Sequence, residues 1–316
     1  MDIPLCPVTG EPASRHVQWI STRLLTDLWR IEFGVDVRPS FGTIDRLGLW
    51  ESPCGLYFVD PPREGTSEFY ERFYARMGAW GLFPGDPRRV EYELAAKKVA
   101  AGAKVLDVGC GAAHFRRYLA HAQYTGLDPN FASKTPDADV RGETLEDHVS
   151  RHAGSYDAVC AFQVLEHLSN PAAFFMQMVQ AAKPGGLIII GVPLIPSAIT
   201  RIPNFLVNAP PHHLTWWTEP ALAALAARAG AQVESIEEFA WSRADAPIYW
   251  IDRCSLIKCK DAHFRGAWSW HAAAALGMFA GLALNAILPV PKKRGAGLLL
   301  MAKSHGQARS GSNCQL

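Results

Sequence analysis

Apolar positions along this chain switch between two spacings, unbroken short runs and runs recurring at intervals of three and four. The unbroken runs are those of strands covered on both faces: Val105, Leu106 and Val108, then residues 156–162, 187–192 and 297–302. Helical spacing marks residues 21–33, where Leu24, Leu25, Leu28, Trp29 and Ile31 follow a serine cap. It returns after Thr66 and Ser67, either of which can cap a helix carrying Phe69, Tyr70, Phe73 and Tyr74. Residues 88–101 form a further helix, and Phe115, Leu119 and Ala120 predict another after Gly111. Residues 219–229 make a helix capped by Thr218 and stopped at Gly230. Residues 183–186 read as a turn, and the alternation over 232–240 as a strand. Strands and helices thus alternate through the second and third quarters of the chain, the pattern of an α/β fold.

The switch from strand to helix across Gly109 and Gly111 is the most informative stretch. Glycines there let the chain bend and let a ligand approach the bare backbone. A dinucleotide site would carry a third glycine at position 114, where this chain has His114. Asp107, two residues before the first glycine, would repel a pyrophosphate and suits a ligand with a cationic amine. A second strand, residues 124–127, ends in Asp128, whose carboxylate can accept hydrogen bonds from both hydroxyls of a ribose.

These residues resemble the cofactor signature of class I S-adenosylmethionine-dependent methyltransferases, of the type 11 and type 23 kind. Asp107, Gly109 and Gly111 match its acidic-x-Gly-x-Gly motif, with Cys110 between the glycines and Ala113 where the family often has another glycine. The likeness continues through residues 155–171 and 182–193, so four motifs stand in the family's order over about half the chain. The resemblance implies a Rossmann-like, doubly wound sheet of seven strands, mostly parallel, with residues 297–302 as an antiparallel last strand. It implies S-adenosyl-L-methionine as cofactor, held by Asp107, Gly109, Cys110, Gly111 and Asp128. Glu143 and Thr144 take the adenine positions, with Glu146 an alternative, and Gln163 lines the methionine portion. Glu166-His167, which invites an acid/base role, is usually structural in such proteins.

The resemblance also places Tyr70 and Tyr74 as pocket candidates on a helix closing over the cofactor; ordinary aromatic packing between helix and sheet is the alternative for each. Residues 209–218 border the acceptor site in similar proteins. His212 and His213 are therefore candidates to deprotonate an acceptor, if they titrate near neutrality; alternatively they only hold the loop.

The N-terminal region offers Cys6 and Cys54, each half of a Cys-x-x-Cys pair whose other position holds Thr9 or Glu51. Two thiolates, a hydroxyl and a carboxylate are a poor zinc set. The region reads as a small ribbon-like module without its metal, or as two unrelated turn cysteines, and no metal is expected. The organisation that follows is a module over 1–62, a helical lid or linker over 63–101 and a cofactor-binding domain over 102–303. An apolar helical insertion occupies 241–295, and a disordered tail 304–316.

Composition narrows the function. A net charge of +1 provides no field for nucleic acid, and seven scattered cysteines suit a reducing cytoplasm. Residues 268–290 are long enough to span a bilayer and are flanked by Lys258, Lys260, Arg265 and by Lys292, Lys293, Arg294. A single crossing would strand the last β-strand on the wrong side, so the segment either packs on the domain or makes a peripheral membrane contact. The expected activity is methyl transfer to a small-molecule or lipid-linked acceptor, at oxygen by analogy. A non-catalytic S-adenosylmethionine-binding protein on the same fold is the alternative, and a nicotinamide oxidoreductase is disfavoured by His114.

Overall fold

The computed structural model describes residues 3–79, 89–129, 139–243 and 245–305. The chain opens with β1 (Arg15–Ser21), α1 (Thr22–Phe33), a single-turn α2 (Arg38–Phe41), β2 (Arg46–Glu51) and β3 (Tyr57–Asp60). The helices α3 (Ser67–Ala79) and α4 (Val90–Ala96) lead into β4 (Lys104–Val108), β5 (Gln123–Leu127) and β6 (Val140–Arg141). There follow α5 (Leu145–His152), β7 (Tyr156–Phe162), α6 (Pro171–Ala181), β8 (Ala182–Pro193), a short α7 (Ala198–Arg201) and β9 (Thr215–Trp216). The chain closes with α8 (Glu219–Arg228), β10 (Gln232–Ala240), α9 (Ala246–Cys254), α10 (Trp268–Ile287) and β11 (Arg294–Lys303).

The large sheet has seven strands in the order β10-β11-β8-β7-β4-β5-β6. β4 pairs parallel with β5 and β7, β5 with β6 and β7 with β8, while β11 runs antiparallel between β8 and β10. This is the Rossmann-like methyltransferase arrangement expected, with its antiparallel last strand. Both faces are covered, which is why the central strands are apolar throughout: Leu106, Val159, Ile188 and Ile190 pack to one side, and Val105, Cys160 and Ile189 to the other.

Local signals account for most boundaries. Ser21 caps α1 through Leu24 N–H, Thr66 Oγ1 accepts from Phe69 N–H, and Thr218 accepts from Ala221 N–H at the start of α8. Three expectations need correction. The helix after Gly111 is only a 3-10 turn, His114–Tyr118, because Ala113 ahead of it is left-handed (φ 54°) and caps nothing. The helix expected over 88–101 is α4 alone, ending well before Gly102 (φ 76°); residue 88 lies outside the described residues. Residues 183–186 do not simply precede a strand but form an irregularity inside β8, where Ser304 pairs with Gly185 and Gly186. Ser304 is thus buried in the sheet rather than part of a free tail. Residues 306–316 lie outside the described ones.

A smaller sheet, β1-β2-β3-β9, joins the N-terminal strands to a two-residue strand from the loop after β8. α1 and α3 pack on it through Leu25, Trp29, Phe33, Phe69 and Phe73. Trp29 Nε1–H donates to Pro210 O at 2.9 Å, tying α1 to the same loop. Cys6 and Cys54 meet with their Sγ atoms 4.0 Å apart, and Cys6 Sγ accepts from the N–H groups of Val8 and Thr9. Glu51 is paired with Arg15.

Candidate active site

The parallel strands bring the carboxyl ends of β4, β5, β6 and β7 to one edge, where open α/β sheets bind ligands. Beyond β4, Gly109 (φ 70°) and Cys110 both donate to Leu127 O, at 2.8 and 3.1 Å, folding the turn onto β5. A Cβ on Gly109 would lie 2.6 Å from Val164 Cγ2, so only glycine fits. At Gly111 (φ 50°) nothing stands within 4 Å of where a Cβ would be, so the backbone is bare to a ligand. Gly111 N–H donates to Asp128 Oδ2 at 3.0 Å, which fixes the second acid against the turn.

Asp107 is buried, and Tyr124 O–H donates to its Oδ2 at 2.8 Å. Burial pushes its carboxyl up to about 7; the Tyr124 bond opposes this and the neighbouring Asp128 charge adds to it. Two acids in mutual repulsion, one starved of solvent, form a site that a cationic ligand relieves. The bare glycine backbone and the pair of acids fit an adenosyl sulfonium with its amino group, and Asp107, Gly109, Cys110, Gly111 and Asp128 are the residues that would hold it.

Glu143 and Thr144 follow β6 at the same edge. The Glu143 carboxylate is engaged by His148 Nδ1 (2.6 Å) and by Arg151, with Arg141 at 3.7 Å, and its pKa is lowered as these partners outweigh burial. Thr144 caps α5, its Oγ1 accepting from Asp147 N–H at 3.1 Å. Both side chains are thus engaged within their own loop and helix. Gln163 sits just past β7 with φ 56°, its N–H donating to Gly191 O at 2.8 Å.

Beyond Gln163, three imidazoles meet. The rings of His167 and His212 have centroids 4.5 Å apart, those of His167 and His213 4.9 Å, and those of His212 and His213 4.5 Å, nearly parallel. The helix α3 lies over them. Tyr70 meets His167 edge-on at 5.9 Å, Phe73 meets His212 at 4.7 Å, and Tyr74 lies 6.2 Å from His212. The near-neutral titration anticipated for His212 and His213 is corrected here. Burial pulls both imidazoles well below their usual range, so they are weak bases. Glu166 is also buried, with neither carboxylate oxygen hydrogen-bonded, and burial pushes it up to about 8.

Two residues were missed in the sequence. Tyr124 stands opposite Val105 in the paired strand, two residues before Gly126, the register partner of Asp107, so its hydroxyl reaches the carboxyl along the strand. The sequence reading leaves His167 a structural role, although its place in the turn following the parallel strand β7 is a signal.

A family model described as a methyltransferase domain matches residues 71–236, more than half of the 316-residue chain. The ubiquinone biosynthesis O-methyltransferase of Xanthomonas axonopodis pv. citri (strain 306) is 31% identical over 177 residues, 48% of this chain and 71% of that protein. The Escherichia coli O157:H7 (strain EC4115 / EHEC) protein of the same name is 34% identical over 113 residues, 32% of this chain and 47% of that one. The chain thus spans about half the length of the E. coli relative. A solved S-adenosylmethionine-dependent methyltransferase from Mesorhizobium loti is 17% identical with a TM-score of 0.41, covering 68% of this chain and 98% of that one. With the seven-stranded sheet and the two acids already placed at its edge, the chain belongs to the methyltransferase-domain family and is an S-adenosylmethionine-dependent methyltransferase.

Proposed function

We propose that this enzyme methylates a hydroxyl oxygen on an aromatic acceptor, small or lipid-linked, in the cytoplasm. The observation that carries the reading is the aromatic cluster of Tyr70, Phe73 and Tyr74 around His167 and His212, adjoining Gln163 at the cofactor edge. The relatives' name, ubiquinone biosynthesis O-methyltransferase, supports an acceptor of that chemistry. Bound S-adenosylmethionine supplies an electrophilic methyl. The protein's part is to bind, align the acceptor oxygen in line and exclude water. Tyr70 and Tyr74, stacked at 6.0 Å, are the α3 rings of this cluster that are not fully buried and would bear on the acceptor, with the buried carboxyl of Glu166 pushed toward its neutral form nearby. The test incubates the full chain with methyl-labelled S-adenosylmethionine and a panel of catechols and phenols with and without a prenyl tail. O-methyl product on a panel member is expected; cofactor binding without methyl transfer to any of them would overturn the acceptor assignment.

α10 supports a lipid-linked acceptor. One stripe of it, Trp270, Ala273, Gly277 and Gly281, is buried, with Gly281 seated on α9 at Ile251 and Gly277 on Ser255 just past its end. The other faces expose Trp268 (82%), Leu276 (57%), Phe279 (68%) and Ile287 (77%). Because β10 and β11 flank this helix in one sheet, it returns to the side from which it left. We infer that it lies on an anionic lipid surface, with Lys258, Lys260 and Arg265 before it and Lys292, Lys293 and Arg294 after it. Flotation with phosphatidylglycerol vesicles at low salt should carry the protein upward, and Phe279→Asp should abolish this. No shift would refute the contact, as would a vesicle-independent dimer formed through this face.

A further inference from the structure

We propose that His167, His212 and His213 form a three-imidazole site for one divalent transition-metal ion of zinc-like character. One ring nitrogen from each lies within 4.8 Å of those of the other two. The hydrogen bonds fix which nitrogen is free. His167 Nδ1–H donates to His212 O at 2.6 Å, His212 Nδ1–H to Val207 O at 2.7 Å, and His213 Nδ1–H to Asn208 Oδ1 at 3.0 Å. Carbonyl oxygens only accept, so each of these Nδ1 atoms carries a proton; the His167 ring also faces the Gln163 carbonyl, and His212 Nε2 is left with no partner. This is the outer-shell pattern that orients metal-binding histidines.

A second observation points the same way. His212 Nε2 is buried without any hydrogen-bond partner, in a residue only 5% exposed. An orphaned acceptor of this kind costs about 1–3 kcal/mol unless something binds it. Zinc holds imidazole nitrogens at about 2.0–2.1 Å, so loading draws each nitrogen inward by about an ångström or less.

Three protein ligands leave a coordination position open, as in catalytic rather than structural zinc sites. That position would take the acceptor hydroxyl, a role that rests on the methyl-transfer reading, whereas the site itself does not. The metal would lower the hydroxyl's pKa so that the acceptor binds as its anion, the proton being lost to solvent on entry. The oxygen lone pair would then form the C–O bond as the S–CH3 bond breaks and S-adenosylhomocysteine leaves.

The test strips the full-length protein with a chelator and titrates it with Co2+ and Zn2+. One equivalent should be retained through gel filtration, with the intense visible bands of low-coordinate cobalt. His167→Gln and His213→Gln should each abolish stoichiometric retention while S-adenosylmethionine binding, which reports the fold, is kept. Asn208→Ala removes only an outer partner and should weaken metal affinity about 10- to 100-fold; it decides the matter if the histidine variants do not fold. The Cys6→Ser/Cys54→Ser double variant and His263→Gln should bind as the parent does. Metal retained by a folded His167→Gln/His213→Gln double variant, metal lost on removing the two thiols, or no retention by the parent would each overturn the site. None of these readouts requires an acceptor, so failure here and failure of the methyl-transfer reading are separable.

Discussion

Asp107→Asn separates the stability of the empty fold from its capacity to bind the cofactor. The Asp107 carboxyl, 3% exposed, is raised from 3.8 to about 7. At roughly 1.36 kcal/mol per pKa unit this is at most about 4 kcal/mol of penalty for holding the charge in the folded chain above neutrality. The sign follows from proton uptake. Between the unfolded and folded pKa values the folded chain keeps a proton that the unfolded chain releases, so stability is lost as pH rises through that window and is flat above it. Asparagine never ionises, and its carbonyl still accepts from Tyr124 O–H. Urea denaturation of the cofactor-free protein should therefore find the variant more stable by about 1–4 kcal/mol near pH 8, and close to the parent near pH 4. Calorimetry should find its S-adenosylmethionine affinity reduced about 10- to 150-fold, the worth of a charge-assisted contact of about 1.5–3 kcal/mol. The parent's own affinity should fall as pH drops below about 7, because the ligand needs the ionised carboxylate. A variant destabilised equally at both pH values, or one that binds the cofactor as well as the parent, would refute the electrostatic argument.

Gly109→Ala meets both a left-handed backbone and Val164 Cγ2 at 2.6 Å, and should lower cofactor affinity with a stability loss of about 1–3 kcal/mol. Adding Val164→Ala should recover the overlap but not the backbone strain, as read by thermal melting. Trp29→Phe leaves Pro210 O unpaired in the core and should cost about 1–3 kcal/mol by denaturant titration, raising acceptor KM more than cofactor Kd. Gly281→Val drives a side chain into the Ile251 backbone, 2.5 Å from the Cβ position. It should lose about 1–3 kcal/mol and make the segment between α9 and α10 sensitive to protease, with cofactor affinity unchanged.

What the sequence made legible was whatever is encoded within a few residues. Asp107, the two glycines and Asp128 announce themselves because each stands at a strand end whose apolar run is unbroken, and parallel pairing then aligns those ends without further instruction. The helix expected after Gly111 failed for a local reason too, a left-handed Ala113 that spacing does not reveal. The histidine cluster was illegible because His167 and His212 are 45 residues apart and neither lies in a periodic segment. They are brought together by hydrogen bonds rather than by an apolar face: Leu214 N–H to Glu166 O at 2.7 Å, Thr215 Oγ1–H to Leu165 O at 3.1 Å, and His167 to the His212 carbonyl.

The same loop then supplies β9, only two residues long and too short for any alternation to show, which completes the N-terminal sheet by pairing Tyr57 with Trp216 and Phe58 with Thr215. The consequence is energetic. Trp29 holds Pro210 from one side and β3 holds Thr215 and Trp216 from the other, so the backbone that carries His212 and His213 is clamped by elements lying before residue 62. Removing those elements would strip both clamps and uncover Trp216 and the rings of α3. The N-terminal strands are therefore part of the walls of the acceptor side, even though every motif of the cofactor site lies after residue 104.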